Sequence, residues 1–191
     1  MYPALLADAR FHDLLLFCDR DLAEAARAKR CPICGGRLDS SSYARKPRGR
    51  LVDLGPAHDR RFSLCCAVDG CRKRVTPASL RFLGRRSYLA AVVVLVTALR
   101  HGLTDGRLRR LQEVVGVSRR TMGRWREWWQ SRFTATPFWQ LASAAFMPPA
   151  DPARLPASLI ERFGGSAEER LISCLRFLAP LTGGAAIRHA F

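Results

Sequence analysis

The sequence is short of lysine, of acid and of long apolar runs, and each shortage removes a class of protein. Lysine occurs three times, at Lys29, Lys46 and Lys73, among 32 basic residues, so the rest are arginine. Acidic residues number 16. They do not cluster with one another or with histidine in a way that leaves room for Mg²⁺, which a metal-dependent nuclease or recombinase requires. The chain is therefore expected not to be an enzyme. The longest apolar stretch, residues 89–99, is interrupted by Thr97 and falls far short of the roughly 20 residues that cross a bilayer. No membrane partner is expected. The first ten residues lack a basic segment followed by an apolar run and a small-residue cleavage site. The expected location is the cytoplasm, where clustered cysteines indicate metal before disulfide. No internal repeat is visible.

What is present allows a folded core. Hydrophobic residues make up 48% and charged residues 25% of 191 residues, which excludes wholesale disorder and suits one ordinary domain or two small ones. The net charge of +16 favours a polyanionic partner, because neutralised phosphates release counterions. Arginine with alanine, glycine and proline is also what a GC-rich genome encodes by default, so charge alone does not decide the partner.

The pattern along the chain predicts a mainly α fold with a small β zinc ribbon, in five segments. Residues 1–30 carry an N-terminal helix over 4–29, with apolar positions at Leu5, Leu6, Ala9, Leu15, Leu16, Leu22, Ala25 and Ala26. Its charged end, 19–30, is expected to be solvated. Residues 31–80 form the ribbon, where Gly, Ser and Pro replace helical periodicity and two strands are expected, at 51–54 and 61–66. Residues 85–133 return to helix: Ser87 is expected to cap a buried helix over 88–100, a buried strand being the competing reading of Val92-Val93-Val94, and His101-Gly102 to end it. Residues 134–154 hold an apolar patch and a proline-rich linker. Residues 155–191 supply C-terminal helices with Leu171, Ile172, Leu175 and Leu178 as the apolar stripe, fraying at Gly183-Gly184.

Two cysteine pairs carry the first chemistry. Cys31-Pro32-Ile33-Cys34-Gly35-Gly36 is a metal knuckle, with two thiolates separated by two residues and glycines that permit the tight turn. Cys66 and Cys71, four residues apart, supply the second pair. Together they are read as a tetrahedral, structural Zn²⁺ site. Cys65 is the competitor to Cys66. The two-residue period of a strand groups Phe62, Leu64 and Cys66 on one face, which selects Cys66. His58 is a further alternative ligand, outside either knuckle. Cys18 and Cys174 are expected to be buried small apolar residues.

The second chemistry lies at 106–132. A first helix over 108–115 is expected to pack Leu111 and Val115 inward, with Gln112 where a smaller residue is usual. Gly116 takes a turn position that often needs a positive φ. Ser118 caps a second helix running to about Arg132. Val117, Met122 and Trp125 face inward, and Arg119, Arg120, Thr121, Gly123 and Arg124 face outward. This is what a recognition helix presents to a major groove, where arginine binds guanine O6 and N7 bidentately. The alternative is a basic helical hairpin with a solvated arginine face. Trp128 and Trp129 are expected in the core or at a partner contact. Ribbon arginines, including Arg48, Arg50, Arg72 and Arg74, and with them Lys73, have no groove-reading geometry and are expected on phosphate.

The order CPICGG, CCAVDGCRKRVTP, buried helix, GVSRRTMGRWREWW over residues 28–133 resembles the N-terminal region of bacterial insertion-sequence transposases. The resemblance implies a zinc ribbon with Cys31, Cys34, Cys66 and Cys71 as ligands, and a helix-turn-helix whose recognition segment runs from Ser118 to Arg126 on double-stranded transposon-end DNA. Such transposases continue into a ribonuclease-H-like domain with three metal-binding carboxylates. Here Asp151, Glu161, Glu168 and Glu169 sit in a segment too short for that fold. The implied protein is a nucleoid-associated DNA-binding partner of a mobile element or a truncated transposase, with a transposase or another protein as its protein partner. A transcriptional regulator at an operator and a protein-docking ribbon module are the alternatives.

Overall fold

The computed structural model describes residues 2–45, 47–83, 88–99, 106, 109 and 113–183. The fold is mainly helical with small antiparallel sheets. Among the described residues no helix is long and apolar enough to cross a membrane. The expected cap at Ser87, the stop at His101-Gly102, Leu111, Gln112 and Gly184 lie outside them.

The N-terminal helix is two. Helix α1 spans Tyr2–Ala7 and α2 spans Ala9–Ala28. Asp8 makes the break: its backbone is extended and its carboxylate accepts the N–H of Arg10 at 2.9 Å, an N-cap that starts a new helix. The charged end of α2 is not solvated throughout. Asp19 has 0% exposure, because it follows Leu15 by four residues and falls on the buried stripe.

The ribbon follows. Strand β1 (Leu38–Ser40) pairs with β4 (Leu64–Cys66), which pairs with β5 (Arg74–Val75); β2 (Tyr43–Ala44) pairs with β3 (Arg60–Arg61). The strand expected over 61–66 is therefore split between two sheets at Phe62-Ser63. The strand expected over 51–54 is absent. The Asp53 carboxylate accepts the backbone N–H of Gly55 at 3.1 Å, and such a local turn competes with extended pairing. Leu38, Leu64, Cys31 and Cys66 form a small core of their own, with Ala26, Cys71 and Val75 packed against it.

A buried polar knot fastens the ribbon to the helices. Asp19 accepts from Ser79 Oγ at 2.6 Å, Leu80 N at 2.6 Å and Arg81 Nε at 2.9 Å. Arg81 also donates to the carbonyls of His58 and Arg60 at 3.3 and 3.0 Å. Arg61, equally buried, donates to the carbonyls of Pro77 and Thr182 at 2.5 and 3.2 Å. Burial lowers its pKa to about 10, so it stays charged at neutral pH. The guanidinium carbons of Arg45, Arg61 and Arg81 all lie within 6 Å of the Phe82 ring centre, a reach at which cation–π attraction operates.

Helix α3 (Ala90–Leu99) is the centre of the main core, buried on every side from Ala90 to Val96. The helical reading of its valine run holds over the strand reading. Around it pack Phe11 and Leu15 of α2 and the stretch from Val115 to Trp139. Helix α4 spans Arg119–Glu127 and continues as a π-helical turn, Trp128–Phe133. Trp128, Trp129 and Phe133 are all buried, with ring centres 4.7–5.3 Å apart. Residues 134–154, expected to hold an apolar patch and a proline-rich linker, contain α5 (Pro137–Ala142) and bury Trp139 and Ala150 in the same core. Trp139 belongs to the expected apolar patch, while Met147, Pro148, Pro149, Asp151 and Pro152 of the proline-rich stretch are exposed and only Ala150 of it is buried. Helices α6 (Ala157–Ile160) and α7 (Ala167–Leu178) complete it. The stripe Leu171, Ile172, Leu175 and Leu178 is buried as expected, and so are Cys18 and Cys174.

Candidate metal centre and basic helix face

The ribbon brings Cys31, Cys34, Cys66 and Cys71 together, with their sulfurs all within 4.8 Å of one another. Cys31 and Cys71 sulfurs are 3.7 Å apart, and those of Cys34 and Cys66 are 3.4 Å apart. A tetrahedron with metal–sulfur bonds of about 2.3 Å has edges of about 3.8 Å, so the cluster has the size of a four-thiolate metal site. Strand pairing builds it. The register that sets Leu38 opposite Cys66 places the second pair beside the first knuckle. The knuckles are closed by Gly35 N–H to Cys31 O at 2.9 Å and by Cys71 N–H to Val68 O at 3.2 Å. Gly36 is required by close approach: a Cβ there would lie 2.5 Å from Val68 Cγ2 and 3.2 Å from Cys66 Sγ.

The electrostatics suit a cation. The backbone N–H groups of Cys34 and Ile33 pull the Cys31 pKa down to about 6. Backbone N–H groups of Gly36, Val68 and Lys73 also act to lower Cys34, Cys66 and Cys71 respectively, yet all three end above their ordinary value because the sulfurs hydrogen-bond one another and are partly desolvated. Four thiols in this space ionise fully only with a dication between them. With four sulfurs in place, a tetrahedral ion keeps no open position for water or substrate.

The two alternative ligands are accounted for elsewhere. Cys65 faces away and its thiol donates to Arg72 O at 3.5 Å. His58 is buried and its ring hydrogen-bonds Asp13 at 3.1 Å. Burial holds its pKa below the ordinary value, against the opposing pull of Asp13.

The second candidate is the outward face of α4. Gly116 has φ +64°, the left-handed conformation expected of the turn. Ser118 caps α4 by accepting the N–H of Thr121 at 3.2 Å. Val115, Val117, Met122 and Trp125 are buried. Arg119, Arg120, Gly123 and Arg124 are exposed, while Thr121 and Arg126 are half-buried. Arg124 donates to Thr121 Oγ1 at 3.3 Å. Of the helix expected before the turn, residues 113–115 are helical and most of the rest lies outside the described residues.

No protein-family model, curated protein or solved structure matches the chain.

Sequence reasoning missed Tyr88. Its hydroxyl donates to the Gly116 carbonyl at 2.8 Å, and its ring meets Trp125 edge-on at 5.1 Å. It also bridges Arg48, whose carbonyl accepts Leu89 N–H at 3.2 Å. One aromatic residue thus ties the ribbon loop, the turn and α4 together. On the ribbon, Arg72, Lys73 and Arg74 are exposed, with Arg72 4.0 Å from Asp69. Arg48 is exposed as well. Arg50 is corrected: it pairs with Asp59 at 2.8 Å and is largely covered, so it is not free to take a phosphate.

Proposed function

We propose that this chain is a sequence-specific binder of double-stranded DNA, stabilised by a structural Zn²⁺ in the ribbon. The observation that carries the reading is the sorting of side chains about the 116–118 turn: four apolar residues face the core, and the capped helix after the turn turns Arg119, Arg120 and Arg124 to solvent. In this reading α4 is the recognition helix of a helix-turn-helix. It enters the major groove, where an arginine fork reads guanine. Arg72, Lys73 and Arg74 hold phosphates and fix the register. Zinc is the ion that four clustered thiolates in tetrahedral spacing suit best, and it does no chemistry on the DNA. The resemblance to the N-terminal region of insertion-sequence transposases makes a mobile element the proposed setting, with a transposase or another protein as the protein partner. A second reading, a protein-docking ribbon, is favoured by Ile33 and Val68, which stand 70% and 44% exposed at the two knuckles.

The arginines divide the readings. Replacing Arg119, Arg120 or Arg124 by Ala should, for at least one of them, cost about 1–3 kcal/mol at the cognate site and relax preference at one base pair. Replacing Arg72 or Arg74 should weaken all duplexes alike and lower the salt slope by about one unit each. Titrations of cognate and scrambled duplexes across a salt series measure both. Loss of base preference from the ribbon variants, with none from the α4 variants, would assign recognition to the ribbon instead.

A further inference from the structure

Helix α2 presents one exposed stripe on the side opposite its buried residues. Arg10, Phe17 and Glu24, spaced by seven, run down its middle. Asp13 and Arg20 form one flank, and Leu14 and Asp21 the other. Leu14 and Phe17, 38% and 59% exposed, border a groove of about 610 Å³ that Leu54, Pro56 and Ala57 of the ribbon loop also line. Neighbouring exposed apolar residues of this kind mark an interaction site, as scattered ones do not.

The charges decide the occupant. The chain carries +16, yet this stripe holds three acids and two bases, so it does not suit a polyanion. Along the helix the order is Arg10, Asp13, Phe17, Arg20, Glu24: plus, minus, apolar, plus, minus. Turned end for end, that order is complementary to itself. In an antiparallel pair crossing at Phe17, Arg10 meets the partner's Glu24, because both lie seven residues from the crossing. Asp13 meets the partner's Arg20, because a two-fold axis keeps each flank with itself. On the other flank Leu14 meets Asp21, so no like charges face each other. Parallel pairing would set like charge on like. Within the chain, Arg10 lies 3.4 Å from Asp8 and Glu24 3.6 Å from Arg27. Those pairs are exposed and worth little, so they do not withhold the charges from a partner.

We propose that the outward face of α2 pairs antiparallel with the same face of a second copy, giving a two-fold dimer with Phe17 on its axis. The dimer stands without the DNA reading above. Together with it, the pair carries two α4 helices, as dimeric helix-turn-helix proteins at palindromic sites do.

The test is sedimentation equilibrium of the full, metal-loaded chain without DNA, over a wide range of concentration. Wild type should pass from monomer to dimer. Phe17→Ser should weaken the dimer at least about tenfold, since each copy loses the buried ring. Arg10→Glu and Glu24→Arg should each weaken it about fivefold or more, since every pair occurs twice. Arg10→Glu lowers the net charge, so general repulsion alone would make it associate more tightly. The double variant Arg10→Glu with Glu24→Arg should return to within about twofold of wild type, because the swapped charges still meet their opposites. Leu141→Ser, at an apolar residue 80% exposed on another helix, should behave as wild type. The proposal is overturned by a wild type that stays monomeric at the highest attainable concentration, by tighter association of Arg10→Glu, by a double variant no better than the single ones, or by an equal loss in Leu141→Ser. A wild type that dimerises in this way and binds no duplex keeps the dimer and removes the DNA reading.

Discussion

A Cys66→Ser chain should emerge from purification with less than about a tenth of the metal in wild type, and a Cys65→Ser chain with the full complement of about one ion per chain. Wild-type metal content measured alongside sets the scale. Apparent binding energies of structural zinc sites run to about 10–16 kcal/mol and are folding energy for the segment that holds them. The ribbon has little else: its own core is four buried side chains, two of them ligand cysteines. Loss of the ion should therefore raise amide exchange across the ribbon strands while α3 and α7, which belong to the main core, stay protected. Elemental analysis and hydrogen exchange read the two effects. Equal metal loss in Cys65→Ser would mean that the strand register placing Cys66 opposite Leu38 is wrong.

Asp19→Ala should be the most damaging substitution away from the metal. The carboxylate accepts three hydrogen bonds, and its removal leaves the Arg81 guanidinium, 2% exposed, without its counter-charge. Breaking a buried pair from one side costs about 3–5 kcal/mol, or roughly 6–20 °C in Tm for a chain of this size. Asp19→Ala combined with Arg81→Met should be less destabilised than the sum of the two, because the uncompensated charge is gone. Thermal or denaturant unfolding decides. A cost under about 1 kcal/mol for Asp19→Ala would show that the knot does not hold α2 to the ribbon exit.

How far the sequence reached depended on the range of the interactions. The knuckles were legible because ligand spacing and turn glycines are local, and strand alternation separated Cys66 from Cys65. The turn was legible for the same reason: Gly116 and Ser118 act within three residues of themselves. Asp19 was misread because charge suggested solvent, while its partners lie 60 to 62 residues away. The signal was present in its four-residue spacing from Leu15 and Ala23, both buried. Tyr88 was missed because its hydrogen bond spans 28 residues to a backbone carbonyl, which leaves no mark on periodicity. Arg50 counted as free basic charge until Asp59 appeared beside it. The apolar patch before the proline-rich stretch was legible by composition, and Trp139 of it fills the main core together with Ala150 from within the stretch.

The central claim is that the positive charge and the capped helix serve sequence-specific DNA recognition, and selection from a random duplex pool tests it most directly. Full, metal-loaded chain would be used to retain duplexes at a stated salt concentration near physiological, since affinity without salt is uninterpretable. The account predicts enrichment of one motif containing at least one guanine position, bound on the order of 10³-fold or more tighter than scrambled duplex. It also predicts that Arg119→Ala, Arg120→Ala or Arg124→Ala shifts that motif. A pool that stays random through successive rounds, with binding that is weak and indifferent to sequence, would contradict it.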